Sequence, residues 1–456
     1  MKSEFLTIRD FDLTGKRVLL RVDINSPIDP ISGEILGDTR IIQHSDTIRQ
    51  LGNSKLIVLA HQSRPGKADF TSLKIHADKI SYNIGRPVKF VDDLFGSRAR
   101  EAILTLNDGE VLLLENTRLY SEEVKLKDTP VKTQARTHIV KNLVPLIDYY
   151  VNDAFAAAHR SQPSLTGFTS SIPSLAGPIV EREVMALNKA LYEGKKPVVV
   201  ILGGAKVDDS IMVAKHMLEQ QIADKILTTG VVANAFMMAK DIQLGKESHD
   251  FIKHELPNFD ELMKIVKKLW NWHGEQIEIP VDVAVNKNGT RKGKHVSDLP
   301  SKYQIADIGL DTIVNYSEWI NEANTIILNG PAGIFELDEF AFGTFELFKA
   351  VANSSAYSVV GGGETAQVVK MLGLENKIGH VSTGGGACIT YLTGKPLPVL
   401  EELKNSKKLY EQGGFTKTAV EERKREIYDY SPIYEVNEEK KEDEREKDLI
   451  YELEEE

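Results

Sequence analysis

Four arginines and a histidine follow the ends of four short apolar runs, a pattern that asks for an anion. Residues 17–23 run into Asp23-Ile24-Asn25-Ser26, with Arg40 soon after, and residues 56–60 run into His61-Gln62-Ser63-Arg64. Residues 111–115 lead to Asn116-Thr117-Arg118, and residues 149–153 lead through alanines to His159-Arg160. Guanidinium groups fork onto carboxylate and phosphate oxygens. Arg40, Arg64, Arg118 and Arg160 at one edge of one sheet would wall a pocket for a small, highly anionic ligand. His61 adds a donor to that ligand and is not read as a general base.

A second chemistry needs almost no side chains. Residues 197–202 form an apolar run stopped by Gly203-Gly204, with Ala205-Lys206 and the first turn of a helix directly after. Glycine lets backbone N–H groups approach a ligand that a side chain would block, and a helix N-terminus adds positive potential. The design recurs. Residues 325–328 lead to Asn329-Gly330-Pro331-Ala332-Gly333-Ile334-Phe335-Glu336, and residues 358–360 to Gly361-Gly362-Gly363-Glu364-Thr365. Residues 380–381 lead to Ser382-Thr383-Gly384-Gly385-Gly386, and residues 226–229 to Gly230. Such turns at several strand ends predict a polyphosphate lying along backbone amides, and hence a nucleotide.

The elements that must position these groups alternate. Between the apolar runs lie amphipathic stretches such as residues 40–51 and 73–84, the latter closed by Gly85. Strand–helix alternation predicts an α/β protein with doubly wound parallel sheets, whose ligands sit beyond the carboxyl ends of the strands. A helix is expected from Pro178 to Leu191, stopped by Gly194, with Val180, Val184, Leu187 and Leu191 on one face. Standing between the arginine-rich and glycine-rich halves, it reads as an interdomain helix. The expected division is residues 1–178, the helix 179–193, and residues 194–399, with part of 400–420 returning to the first domain. Residues 421–456 read as a charged, acidic tail.

Composition narrows the classes. The 456 residues are 41% hydrophobic and 27% charged, as in a soluble globular protein. One cysteine, Cys388, allows no intramolecular disulfide. No apolar leader or membrane-length run is present, so a cytoplasmic protein without membrane contact is expected. Residues 437–456 hold eleven acidic against four basic side chains, a local −7 of the total −11. No basic stripe appears, which argues against nucleic acid as a partner. The G-x-x-x-x-G-K-[ST] loop, the H-R-D and D-F-G motifs and zinc-type spacings are all absent. Gly361-Gly362-Gly363-Glu364-Thr365-Ala366 fits the dinucleotide pattern G-x-G-x-x-A, but glycines stand at 384–386 where an acidic residue is wanted about 20 positions on. A nicotinamide oxidoreductase stays as an alternative, as does a catalytically quiet scaffold acting through the tail.

Taken in order, these motifs resemble the phosphoglycerate kinase family over about residues 13–398. Arg21-Val22-Asp23-Ile24-Asn25-Ser26-Pro27, Gly37-Asp38-Thr39-Arg40-Ile41, His61-Gln62-Ser63-Arg64-Pro65-Gly66 and Leu114-Glu115-Asn116-Thr117-Arg118 carry the likeness in the first half. Gly203-Gly204-Ala205-Lys206, Asn329-Gly330-Pro331-Ala332-Gly333 and the triple-glycine motif carry it in the second, in a form most similar to the archaeal branch. The resemblance implies two α/β domains, the first binding 3-phosphoglycerate and the second magnesium with ATP or ADP. It implies that Asp23 and Asn25 hold the glycerate, that His61, Arg64, Arg118 and Arg160 surround its phosphate, and that Arg40 reaches the reacting carboxyl. On the other side it assigns Gly204, Ala205 and Lys206 to the phosphates, Asn329, Pro331 and Gly333 to the nucleotide slot, and Glu336 to the ribose. Gly361, Gly362, Gly363 and Thr365 would cradle the phosphate chain, with Glu364 near Mg2+ and Gly230 at the purine. Three positions depart from the family pattern: Glu364 stands for an aspartate, Ser210 for a second lysine, and Gly230-Val231-Val232 for a richer glycine turn.

Overall fold

In a computed structural model of the chain, which describes residues 3–256 and 258–415, the apolar runs assemble into two parallel sheets of six strands each. The first contains β1 (Arg17–Arg21), β2 (Lys55–Leu59), β3 (Val88–Phe90), β4 (Val111–Leu113), β5 (Tyr149–Asn152) and β6 (Ser174–Ala176). Their order is β3-β4-β2-β1-β5-β6, with every pairing parallel. The second half contributes β7 (Val198–Leu202), β8 (Lys225–Thr228), β9 (Ile277–Glu278), β10 (Asp282–Lys287), β11 (Thr290–His295), β12 (Ile305–Ile308), β13 (Thr325–Asn329), β14 (Tyr357–Gly361) and β15 (His380–Val381). Six of these form the second sheet in the order β15-β14-β13-β7-β8-β9, again parallel throughout. Helices cover both faces of each sheet, which is why the strands read as unbroken apolar runs and not as alternations.

The order reverses direction between β1 and β5 in one sheet and between β7 and β13 in the other. Such switch points open a crevice at the carboxyl ends of the strands. The arginine motifs flank the first crevice and the glycine turns flank the second.

The sequence did not suggest the antiparallel sheet β11-β10-β12. Its hairpin turns on Asn288 and Gly289, both at positive φ (53° and 86°), the pair that a tight two-residue turn requires. β11 is almost wholly polar, Thr-Arg-Lys-Gly-Lys-His, so no apolar period announced it.

The helix Pro178–Leu191 bridges the two sheets. Asp153, at the end of β5, accepts hydrogen bonds from the Ile179 and Val180 N–H groups at 2.7 and 3.3 Å, satisfying donors that a helix start leaves open. Further along, Glu183 accepts from His380 Nε2 and Thr383 N, each at 2.9 Å, and the Asn188 side-chain Oδ1 accepts from the Tyr391 hydroxyl at 2.6 Å. Val180, Val184, Leu187 and Leu191 are all buried. The helix ends at Leu191 without Gly194, where a Cβ would come within 3.2 Å of Thr325 at the start of β13.

After the second sheet the helix Pro398–Glu411 returns to the first. Ser406 Oγ accepts from the Ser174 N–H of β6 at 3.0 Å, and Leu400 and Leu403 are buried. The acidic segment 421–456 lies outside the described residues.

Candidate active site

The first crevice is crowded with cations. Asp23 follows β1 and is buried; its Oδ1 takes Arg40 Nη1 at 3.0 Å, and its backbone N–H donates to His44 Nε2 at 3.1 Å. Burial alone would push the Asp23 carboxyl up, but the surrounding cationic groups, Arg40 foremost, together outweigh it and hold the group well below the usual carboxylate range. Asn25 is tied into the same turn, its Oδ1 accepting the Ser63 N–H at 2.8 Å.

His61 is buried, and its Nδ1 lies 3.0 Å from Arg21 Nη2. A guanidinium can only donate, so Nδ1 accepts and the ring proton sits on Nε2. Desolvation drives this imidazole well below its ordinary pKa, so it stays neutral. Its Nε2–H is left as a fixed donor.

Arg118 is buried beside the same loop, donating from Nη1 to the Ser63 carbonyl. Desolvation, then the neighbouring Arg160 and Arg21, bring its pKa down to about 10. Arg160 is lowered as well, by desolvation first, with Arg64, Arg21 and Arg40 acting in the same direction. Arg64 is exposed, and its guanidinium has no hydrogen bond or ion pair among the described residues. All four predicted arginines thus share one field, and that field is unfavourable to itself until an anion enters.

Sequence reasoning missed a fifth. Arg21 is fully buried at the end of β1, with Nε on Ser164 Oγ at 3.0 Å and Nη1 on the Val22 carbonyl. An arginine inside an apolar strand was the available signal.

The second crevice is built from backbone. Gly203 N–H donates to the Asn329 carbonyl at 2.9 Å and Gly204 N–H to the Pro331 carbonyl at 2.8 Å, locking the turns after β7 and β13 together. Gly330 has φ +89°, and a Cβ there would lie 2.3 Å from the Gly203 oxygen. Thr365 Oγ1 accepts the Gly330 N–H at 3.0 Å, adding the turn after β14. The result is a cavity of about 230 Å³ walled by Gly204, Ala205, Lys206, Asn329, Gly362, Gly363, Glu364 and Thr365 among others. The helices Val207–Glu219 and Gly363–Met371 both begin at this wall.

A second cavity of about 350 Å³ continues from it, sharing Gly204, Ala205 and Glu364. Gly230, Pro331, Gly333 and Glu336 line it, with Met237, Phe251, Val283, Ile305 and Ile308 giving it an apolar interior. β10 and β12 of the unforeseen antiparallel sheet supply part of that wall. Gly361 is the exception among the expected residues. It is buried as the last residue of β14, where a Cβ would come 2.8 Å from Cys388 Sγ, so it makes room for the helix behind and does not face either cavity.

Lys206 and Glu364 are exposed, and neither side chain has a hydrogen bond or ion pair among the described residues. Ser210 is buried, with its hydroxyl 3.5 Å from the Gly203 carbonyl. No group of three or more His, Cys, Asp or Glu side chains could hold a metal among the described residues. The lobes meet where Gly384 lies against the Phe155 ring and Gly386 against His159, next to Arg160.

An arginine-walled anion pocket on one parallel sheet and a glycine cradle with an apolar slot on another define a two-lobed phosphotransferase. The sequence model of "Phosphoglycerate kinase" matches residues 8–395. The chain is 49% identical over 407 residues to the phosphoglycerate kinase of Methanothermus fervidus, covering 89% of this chain and 98% of that protein. It is 46% identical over 409 residues to that of Thermoplasma volcanium, covering 90% and 100%. Among solved structures, the phosphoglycerate kinase from Pyrococcus horikoshii OT3 superposes with a TM-score of 0.81 at 40% identity, over 88% of this chain and 99% of that one. The Coxiella burnetii enzyme gives 0.75 at 31% identity with the same coverage. The chain belongs to the phosphoglycerate kinase family. It is a kinase with a carboxyl group as phosphoryl acceptor, and the nicotinamide reading falls away.

Proposed function

We propose that the two crevices divide the phosphoryl transfer between them. The acid substrate, 3-phosphoglycerate, binds at the first: Asp23 and Asn25 hold its glycerate, while His61, Arg64, Arg118 and Arg160 take its phosphate. Arg40, already oriented by Asp23, reaches the reacting carboxyl. ATP or ADP binds at the second. Its phosphates lie along Gly204, Ala205, Gly362, Gly363 and Thr365, with Asn329 beside them, and its ribose and base fill the slot past Pro331 and Gly333 toward Glu336 and Gly230.

The acceptor is a carboxylate, ionised at neutral pH, so the reaction needs no general base. The loose transition state carries its charge on equatorial oxygens, which calls for positioning and fixed positive groups. Lys206 from one lobe and Arg40 from the other supply them. Both lobes must close on the ligands and exclude water, with the helix Pro178–Leu191 as the connecting element.

Glu364 fits a magnesium role because it is an unpaired carboxylate shared by both cavities. Mg2+ is commonly held by one or two carboxylates plus substrate phosphates and not by an all-protein cage. When bound it neutralises charge on the phosphate chain. A cytoplasmic location accords with a single, buried Cys388. No helix among the described residues is long and apolar enough to cross a membrane.

The observation that carries this reading is the pairing of a charged crevice with a backbone crevice at the two switch points. A coupled assay with 3-phosphoglycerate and ATP tests it. Turnover that requires both is expected; none, with both ligands bound, would favour the scaffold role instead.

A further inference from the structure

A buried carboxylate, Glu123, is tied to the arginine cluster through a serine. Glu123 lies on the short helix Ser121–Lys125, shortly after Arg118 in the chain, and is 1% exposed. It takes both polar groups of Ser164: Oε1 accepts the hydroxyl at 2.6 Å and Oε2 the backbone N–H at 2.9 Å. The same hydroxyl oxygen accepts Arg21 Nε at 3.0 Å, and Arg21 Nη2 meets His61 Nδ1 at 3.0 Å. Glu123, Ser164, Arg21 and His61 thus form one buried chain of hydrogen bonds. At its end, His61 Nε2 has no partner among the described residues and is not sealed from solvent.

Each bond in this chain has a forced direction. A carboxylate only accepts and a guanidinium only donates, so the Ser164 hydrogen points to Glu123 and its lone pair is left for Arg21. Stability alone does not explain the arrangement, because buried charges seldom hold a fold together better than apolar residues of the same volume. Burial pushes the Glu123 carboxyl up, while Arg21, the two Ser164 bonds and Arg118 act the other way. Arg118 is lowered by desolvation, Arg160, Arg21 and Arg64, and Glu123 acts against them.

We propose that Glu123 is a positioning residue for the acid substrate: acting through Ser164 and Arg21, it holds the His61 ring with Nε2–H free for the ligand. Glu123 touches no substrate itself. The proposal rests on His61 and Arg118 meeting the acid, as in the proposed function.

Steady-state kinetics of Glu123→Gln, Ser164→Ala, the double variant and Tyr150→Phe test it, with Arg64→Ala as the reference for the acid site. Glu123→Gln keeps the size and removes the charge, whereas Ser164→Ala keeps the charge and breaks the chain. Each should raise the KM for 3-phosphoglycerate about tenfold, the worth of a charged hydrogen bond, and leave that for ATP unchanged. Because both cut one chain, the double variant should lie within about twofold of the worse single one. Glu123→Gln alone should also move the alkaline loss of acid affinity to lower pH than in wild type, since Arg118 loses an anion that raises its pKa. Tyr150→Phe is the matched control: its hydroxyl donates to the Ser164 carbonyl at 2.8 Å, so its loss should lower the melting temperature and move neither KM. If Arg64→Ala raises the KM for the acid while Glu123→Gln and Ser164→Ala do not, this proposal alone is overturned. If Arg64→Ala acts only on ATP, or on neither substrate, the wider reading fails. Multiplied effects in the double variant, or an equal rise in Tyr150→Phe, would make Glu123 merely structural. Should Glu123→Gln not fold, Ser164→Ala set against Tyr150→Phe decides in the same way.

Discussion

In the proposed reading the two crevices meet anions by opposite means. In the first lobe the work falls to long charged side chains brought from the ends of β1, β2, β4 and β5, stacked closely enough that desolvation and mutual repulsion lower Arg118 to about 10. In the second lobe it falls to main chain: turns after β7, β13 and β14 interlock so tightly that a methyl group at Gly330 would strike the Gly203 carbonyl. A small rigid acid offers few atoms, so each must be met by a strong, directional donor. A phosphate chain is long and flexible, and a row of amides can follow it. The difference teaches that conserving charge matters in one lobe and conserving space in the other.

Altering space should do most harm in the second lobe. Gly330→Ala combines a positive-φ residue with a Cβ only 2.3 Å from the Gly203 oxygen, so both turns must shift. A displacement of about 1 Å can cost 10²-fold. We expect the KM for ATP to rise by about that factor or more, while calorimetry shows 3-phosphoglycerate binding intact. Loss of acid binding as well would show that the lobes are not separable. Lys206→Ala removes the one exposed, unpaired cation of the cradle, and kcat should fall by about 10². An unchanged kcat would remove Lys206 from the transition state.

In the first lobe the loss should be one of binding. Arg64→Ala is expected to raise the KM for 3-phosphoglycerate about 10- to 100-fold, the worth of a charged hydrogen bond, and to leave that for ATP alone. An effect confined to ATP would reverse the assignment of the lobes. The smallest expected effect is that of pH. His61 is depressed and stays neutral above its ordinary value, Asp23 is depressed and stays ionised, and Arg118 keeps its charge until about 10. The kcat profile should therefore be flat from about pH 6 to 9, with acid-substrate affinity falling only as pH rises toward the Arg118 value. A limb near the ordinary histidine pKa, about 6.5, would restore a proton-transfer role to His61.

Much of this contrast was legible in the residues. Strands buried on both faces leave continuous apolar runs, so β1, β2, β4, β5, β7, β13 and β14 stood out, and the groups after them marked the crevices. Arg21 was passed over because it lies within the strand run and not after it, and only the structure shows its guanidinium reaching His61 and Ser164. β10 to β12 escaped because only the Asn288-Gly289 pair signalled them. Without that sheet the apolar slot lacks the part of its wall that Val283, Ile305 and Ile308 supply. Gly361 looked like part of the cradle from its motif, but only packing shows that it faces Cys388.

The most direct test is a crystal grown with 3-phosphoglycerate and a non-hydrolysable ATP analogue together. The account predicts the acid among Arg40, His61, Arg64, Arg118 and Arg160, and the nucleotide along the glycine turns, with the transferable phosphate and the carboxyl facing one another across Lys206. Both ligands on one sheet, or on faces turned apart, would contradict it.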